Sequence, residues 1–225
     1  MFTFLVVFIQ TGLGLLFAIL LNKKWKTRSF FRATLFLPVI MGITVNALIW
    51  KLMFYPMGGP VSSLLKSVFD ISSLFFRDPQ TAFMWIIFLQ IWTYTGFTCV
   101  IFLAGLQGIP NEYYEAAKVE GADGWYQFRF ITFPLIAQAL TVNVLLAVIG
   151  ALRTYDTMLV TTNGLYNTST MAFYMFRLAF MSEGGSGRAG GRLGFASSVA
   201  TILFVFIFLV ALITQKFLRK REVEL

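Results

Sequence analysis

Glu115-Ala116-Ala117-Lys118-Val119-Glu120-Gly121, followed by Ile131 and Pro134, is a polar stretch between two long apolar runs. Its residues read as a helix. Pro110 sets the first turn, where its missing N–H costs nothing, and Gly108 or Asn111 is placed to cap it. Gly121 stops the helix as a left-handed C-terminal residue, and Asp123 caps a second helix starting near Gly124. Tyr113, Ala117 and Gly121 recur every fourth residue, so they share one face whose small side chains admit a close partner. Trp125, Tyr126, Phe128 and Phe130 are suited to the headgroup level of a membrane. Pro134 then bends the chain into the next apolar run, a kink tolerated where neighbouring helices satisfy the freed carbonyl. A compact helix-turn-helix at this place is a grip for another protein.

The flanking composition decides what is being gripped. The 225 residues are 58% hydrophobic and 12% charged, with 26 Phe and no His. That charged fraction is about half that of a soluble domain. Apolar windows long enough to cross a bilayer, roughly 20 residues each, fall at Phe2–Leu21, Thr34–Phe54, Thr81–Leu103, Ile131–Leu152 and Ala196–Gln215. The fold expected is an all-α polytopic transmembrane bundle of about five spans, one domain over 1–225 with its loop at about 108–131. No internal repeat stands out. A single Cys99 inside an apolar run forms no intrachain disulfide, and the lack of His disfavours a transition-metal site.

Charge gives the orientation. Lys23, Lys24, Lys26, Arg28 and Arg32 follow the first span, and Lys216, Arg219, Lys220 and Arg221 follow the last. Basic loops stay cytoplasmic, so the net charge of +8 reflects topology rather than nucleic-acid binding. The loop of Glu115 then also faces the cytoplasm, as does the C-terminus, and 55–80 and 153–195 face outward. The start carries no charged n-region and no small-residue cleavage site, unlike a removable signal peptide. Either the first span inserts amino end outward, or a further span precedes it; the second is the expectation. Met57-Gly58-Gly59-Pro60 reads as a turn and Val61–Phe69 as a short helix along the membrane surface. Ser182–Gly191, rich in Gly and Ser, reads as the flexible segment.

Glu115-Ala116-Ala117, three residues, Gly121, nine residues, Ile131, one residue, then Phe133-Pro134 resembles the EAA loop of binding-protein-dependent ABC importer permeases. Phe133 stands where that family usually has Leu, and Glu120 where its sugar branch has Asp. The likeness runs through Phe30-Phe31-Arg32, Leu37-Pro38, Ile49-Trp50-Lys51, Leu103-Ala104-Gly105-Leu106 and Ile109-Pro110. It continues in Tyr155-Asp156, Thr162-Asn163-Gly164 and Gly194-Phe195-Ala196-Ser197, and is similar to the first permease subunit of the maltose-type carbohydrate branch. Leu165-Tyr166 departs from the Gly-Gly-Pro often found after Thr-Gly there. The resemblance implies a type I importer transmembrane domain. It also implies that Glu115, Ala116, Ala117 and Gly121 dock an ATPase dimer, which binds the ATP and Mg; this chain would bind no cofactor itself. A second permease subunit, an extracytoplasmic solute-binding protein and membrane lipids complete the partners, with no nucleic acid. The place implied is the bacterial cytoplasmic (inner) membrane.

Polar groups at membrane depth are costly unless paired or facing a cavity. Asn46, Gln90, Asn143, Arg153 and Asp156 fit that description, and so does the cluster Gln90, Trp92, Tyr94 and Thr95. A sugar is held by ring stacking and hydrogen bonds, which suits Gln90, Trp92, Tyr94 and Thr95, and the family resemblance implies a pathway role near Arg153, Tyr155 and Asp156. The plainer accounts are interhelical hydrogen bonding for the amides, aromatic packing for the rings, and an ion pair three residues apart for Arg153 and Asp156. Lys51 reads as a snorkelling cation. The Gly-rich stretch at Gly184–Gly191 lacks the Gly-Lys-Ser/Thr ending of a nucleotide loop, and no nucleophile–base pair stands out, so no enzyme is expected. The function implied is a permease for a sugar or oligosaccharide. The alternatives are a permease for a phosphorylated polyol such as glycerol 3-phosphate, suggested by Arg153, an ion-coupled secondary transporter, and a membrane scaffold. The spans hold almost no acidic residues to serve as cation sites.

Overall fold

The long apolar windows become helices because a backbone in lipid must satisfy its own hydrogen bonds. A computed structural model describes residues 1–23, 26–69, 74–181 and 192–219. Ser182–Gly191, Lys24, Lys220 and Arg221 therefore lie outside the described residues. The helices are α1 (Phe2–Asn22), α2 (Arg28–Met41), α3 (Ile43–Met53), α4 (Pro60–Phe69), α5 (Ala82–Gln107), α6 (Asn111–Val119), α7 (Gly124–Gln127), α8 (Phe133–Leu135), α9 (Ala137–Arg153), α10 (Asp156–Thr161), α11 (Met171–Phe180) and α12 (Leu193–Arg219). Among the described residues there is no strand, so the all-α expectation holds.

Among the described residues three helices are long and apolar enough to span alone, and counting each of two bent pairs as one span gives up to five. The second and fourth windows are therefore not straight. Between α2 and α3 the chain turns by 99°, at Gly42, whose φ of +82° suits only glycine. Pro38 one turn earlier has already weakened that stretch of helix. The Pro134 bend is real: a π turn at Phe128–Thr132 and a break at Ile136 set the segments before and after it at 64°. Outside the spans, α4 forms where a short helix was expected at Val61–Phe69. The helices α10 and α11 were not foreseen within the long outer segment.

Helices α1 and α5 run side by side in the same direction. Phe2 meets Phe83 with ring centroids 6.0 Å apart, and Gln10 meets Thr98. Ala18 packs in one cluster with Phe102. The basic loop after α1 and the loop after α5 consequently sit at the same end of the bundle, in agreement with the parity of the spans. Among the described residues the core falls into two large clusters and a small third one of Leu178, Ala196 and Val199, which joins α11 to α12. Ala18, Cys99, Phe102, Leu103, Leu106, Ile109 and Ile136 fill the loop end. Phe54, Phe75, Ile86, Leu89, Met158 and Phe173, with others, fill the opposite end. Close approach of α2 to α5 depends on Gly96, where an added Cβ would collide with the Leu35 carbonyl.

Candidate functional site

Between the two apolar clusters the bundle opens into a cavity of 440 Å³ lined by polar side chains. Helix α5 supplies Gln90, Tyr94, Phe97 and Thr98, spaced as one helical face. Asn143 and Gly150 come from α9, Arg153 from its last turn, and Thr154, Tyr155 and Asp156 from the junction into α10. Val39 and Ile43 flank the Gly42 break and form part of the wall.

The polar groups are held in register by one another. Gln10 Nε2 donates to Thr98 Oγ1 at 3.0 Å, and Asn143 Nδ2 to the Thr98 carbonyl at 3.4 Å. Gln90, 2% exposed, donates through Nε2 to Thr154 Oγ1 at 3.1 Å, while its Oε1 is buried with no partner among the described residues. The Thr154 hydroxyl in turn donates to the Gly150 carbonyl at 2.8 Å. Tyr155 stacks on Phe176 with centroids 4.9 Å apart. Both charge signs stand in one wall, Arg153 and Asp156.

Six of the seven pathway residues expected from sequence come together here: Gln90, Tyr94, Asn143, Arg153, Tyr155 and Asp156. Trp92 does not. Two residues from Gln90 on a helix it points away from the cavity, and it meets Trp50 edge-on at 5.3 Å. Arg153 and Asp156 do not share a helical turn, because α9 ends at Arg153 and Thr154 is extended; no ion pair within 4.0 Å joins them among the described residues. Asn46 sits outside the cavity, fully buried, donating to the Pro38 carbonyl at 2.6 Å and to Thr93 Oγ1 at 3.3 Å. Its role is that of interhelical glue. Lys51 does not snorkel free either: Nζ donates to the Val160 carbonyl at 2.7 Å and ties α3 to α10. Gln10 and Thr98 were missed, although a polar residue amid the apolar Phe2–Leu21 run was the available signal.

The loop end carries the second element of the site. Helix α6 closes in a Schellman arrangement: Ala122 N–H donates to the Ala117 carbonyl at 2.9 Å and Gly121 N–H to Lys118 at 3.0 Å, with Gly121 at φ +80°. Asp123 caps α7 through Tyr126 N–H at 2.7 Å, as its spacing predicts. At the other terminus Pro110 itself is the N-cap, in extended backbone, and neither Asn111 nor Gly108 caps with a side chain. Glu115, Ala116 and Gly121 are exposed, but Ala117 is 8% exposed and turns toward its own chain. The exposed residues of α6 include Glu115, Ala116 and Val119, the last 89% exposed. On the inward side Tyr114 Oη and Thr132 Oγ1 lie 3.0 Å apart, joining α6 to the foot of the bent span.

Bent apolar helix pairs around a cavity of mixed polar and apolar lining, with an exposed helical loop at one end, suit an all-α membrane permease. The chain belongs to the family of binding-protein-dependent transport system inner membrane components, whose profile matches residues 10–223. It is 33% identical over 210 residues to the trehalose/maltose transport system permease protein MalF of Thermococcus litoralis, covering 93% of this chain and 69% of the relative. The inner membrane ABC transporter permease protein YcjO of Escherichia coli is 32% identical over 219 residues, covering 96% and 71%. A starch degradation products transport system permease protein described as probable, AmyD of Thermoanaerobacterium thermosulfurigenes, is 26% identical, covering 94% and 70%. In three dimensions the chain is similar to a chain of the bacterial alginate ABC transporter solved with an alginate pentasaccharide-bound periplasmic protein. The TM-score is 0.77 at 22% identity, over 96% of this chain and 73% of that one.

Proposed function

We propose that this chain is a permease subunit of an ATP-driven importer that passes a sugar or oligosaccharide across the inner membrane by alternating access. A second, similar permease encloses the path with it. An ATPase dimer grips the α6–α7 loop and binds the ATP and Mg, so the chain is not itself an enzyme. An extracytoplasmic solute-binding protein delivers the ligand at the opposite end, and the basic C-terminal tail lies in the cytoplasm.

The observation that carries the sugar reading is the cavity wall: amides of Gln90 and Asn143 beside the rings of Tyr94, Phe97 and Tyr155. Hydroxyl-rich rings need that mixture of stacking faces and paired donors and acceptors, in a cavity within the usual ligand range of roughly 300–1,000 Å³. Relatives named for trehalose/maltose and starch products support the same substrate class. Asp156 beside Arg153 offsets the positive charge that a phosphorylated polyol would require. Within this reading Glu115, Ala116 and Gly121 meet the ATPase directly, and Ala117 shapes the helix from behind.

The test is uptake by the complete complex in proteoliposomes, with the binding protein and ATP supplied. Maltose, trehalose and maltodextrins are compared with glycerol 3-phosphate. Sugar uptake that needs ATP supports the reading. Uptake driven by an ion gradient alone, or of the phosphorylated polyol without any neutral sugar, would falsify it.

A further inference from the structure

A second cavity lies at the loop end, on the outer surface of the bundle between α1 and α2. It is a groove of 250 Å³ lined by Phe17, Leu20, Leu21, Arg28, Phe31 and Leu35. Its accessible wall is wholly apolar although Arg28 is part of it. Arg28 therefore contributes the methylene part of its side chain to that wall and keeps its charged head off it, as long cationic side chains do at interfaces. The groove is accordingly apolar along its wall, with a cation among its lining residues.

Further cations neighbour the lining residues along the chain. Lys23 follows the lining residue Leu21 by two positions, and Lys26 precedes Arg28 by two. Both are exposed, as is Arg32. No acidic residue occurs before Asp70 anywhere in the sequence, and among the described residues none of these four cations is in an ion pair within 4.0 Å. A topology signal alone needs the positive charge but not a shaped apolar slot beneath it.

We infer that this groove is a binding site for an anionic glycerophospholipid of the leaflet facing the loop. One acyl chain lies along Phe17, Leu20 and Leu21, and the phosphate meets Arg28 with Lys23 and Lys26. The groove is too small for a whole lipid, which leaves the second chain in the bilayer. Neutral lipids fill the slot but forgo the cations, so the selectivity resides in the headgroup. Each basic residue near an anionic headgroup favours it about fivefold. The site is separate from the transport cavity, and its existence does not depend on the substrate.

The experiment uses the assembled complex, purified with its own partner subunits into nanodiscs. Photoactivatable phosphatidylglycerol and phosphatidylcholine with identical acyl chains are compared, followed by peptide mapping. Phosphatidylglycerol should label the Phe17–Leu21 and Phe31–Leu35 peptides at least fivefold more than phosphatidylcholine. Arg28→Gln should lower that preference about fivefold, Arg28→Lys should keep most of it, and Leu20→Trp, which fills the slot, should abolish labelling by both lipids. Equal labelling by the two lipids overturns the proposal. So does an unlabelled groove crosslinked instead to a helix of a partner subunit. If Arg28→Gln fails to assemble, the lipid preference of the unaltered complex and of Arg28→Lys decides the matter.

Discussion

Asn46 offers the sharpest test of how the bent second span is held. The 99° turn at Gly42 removes the amide that would have bonded the Pro38 carbonyl, since Gly42 N–H donates to Val39 instead. Asn46 Nδ2 replaces it at 2.6 Å and reaches Thr93 of α5 at 3.3 Å. Asn46→Leu removes both bonds, worth about 0.6 kcal/mol each among membrane helices. It also leaves a buried carbonyl and hydroxyl unpaired, at about 1–3 kcal/mol apiece for a fully desolvated group. Against that, the mutation removes the already unpartnered Oδ1, which returns about 1 kcal/mol or more by the same reckoning. The net expectation is a loss of about 2–6 kcal/mol. Asn46→Asp should be worse, because an acceptor then faces the Pro38 carbonyl and ionisation at depth adds about 2.5–3.5 kcal/mol. Stability of the detergent-purified complex should rank wild type, then Leu, then Asp. Spin labels at exposed Leu37 and Leu48, in a Cys99→Ala background, should show a broadened distance distribution in Asn46→Leu. An aspartate variant as stable as wild type, or a leucine variant with an unchanged distribution, would refute the argument that Asn46 pins the turn.

Two further substitutions separate packing from coupling. Gly121→Val forces a β-branched residue to φ +80°, at about 1–2 kcal/mol, yet its Cβ meets open space. The subunit should still assemble in the membrane while ATP-driven uptake falls at least tenfold, and Gly121→Asn should be milder; undiminished uptake in both would remove the loop from the mechanism. Gly96→Leu should fail at an earlier stage, because its side chain collides with the Leu35 backbone, so that little complex is recovered from the membrane fraction. Recovery at wild-type yield would mean that α2 does not cross α5 as described.

What the sequence disclosed was whatever depends on neighbours along the chain. The apolar windows, the Gly121 stop and the Asp123 cap are local, and each is found where the spacing places it. Helical periodicity alone also pairs Gln90 with Tyr94, four residues on, in one cavity wall. The same periodicity, had it been applied to Trp92, would have turned that ring to the far side. Ala117 and Lys51 were misread for a different reason. Whether a helix face is turned toward its own chain, or whether a cation finds a carbonyl 109 positions away, depends on tertiary packing that no local pattern encodes. Gly42 lies between: Pro38 and a glycine four residues later mark a break, but not its 99° size.

The placement of the bends relative to the two apolar clusters bears on mechanism. The cavity mixes polar and apolar lining, and toward the loop end of the bundle lies the apolar cluster of Ala18, Phe102, Leu106 and Ile136. Ile136 is also the residue at which the 64° bend occurs. Four positions before it, Thr132 meets Tyr114 of α6 at 3.0 Å, and Ile136 N–H donates to the Thr132 carbonyl at 3.0 Å. From α6 to that cluster there is thus an unbroken series of contacts a few residues long. In the proposed mechanism a displacement of the loop need not propagate through a whole span to alter access. It has only to rotate the foot of α9 about Ile136, a residue of the apolar cluster at the loop end of the bundle. A straight fourth span would place the loop and α9 on one rigid rod, with no independent motion between them; the π turn, Pro134 and the break at Ile136 give the loop its own lever arm.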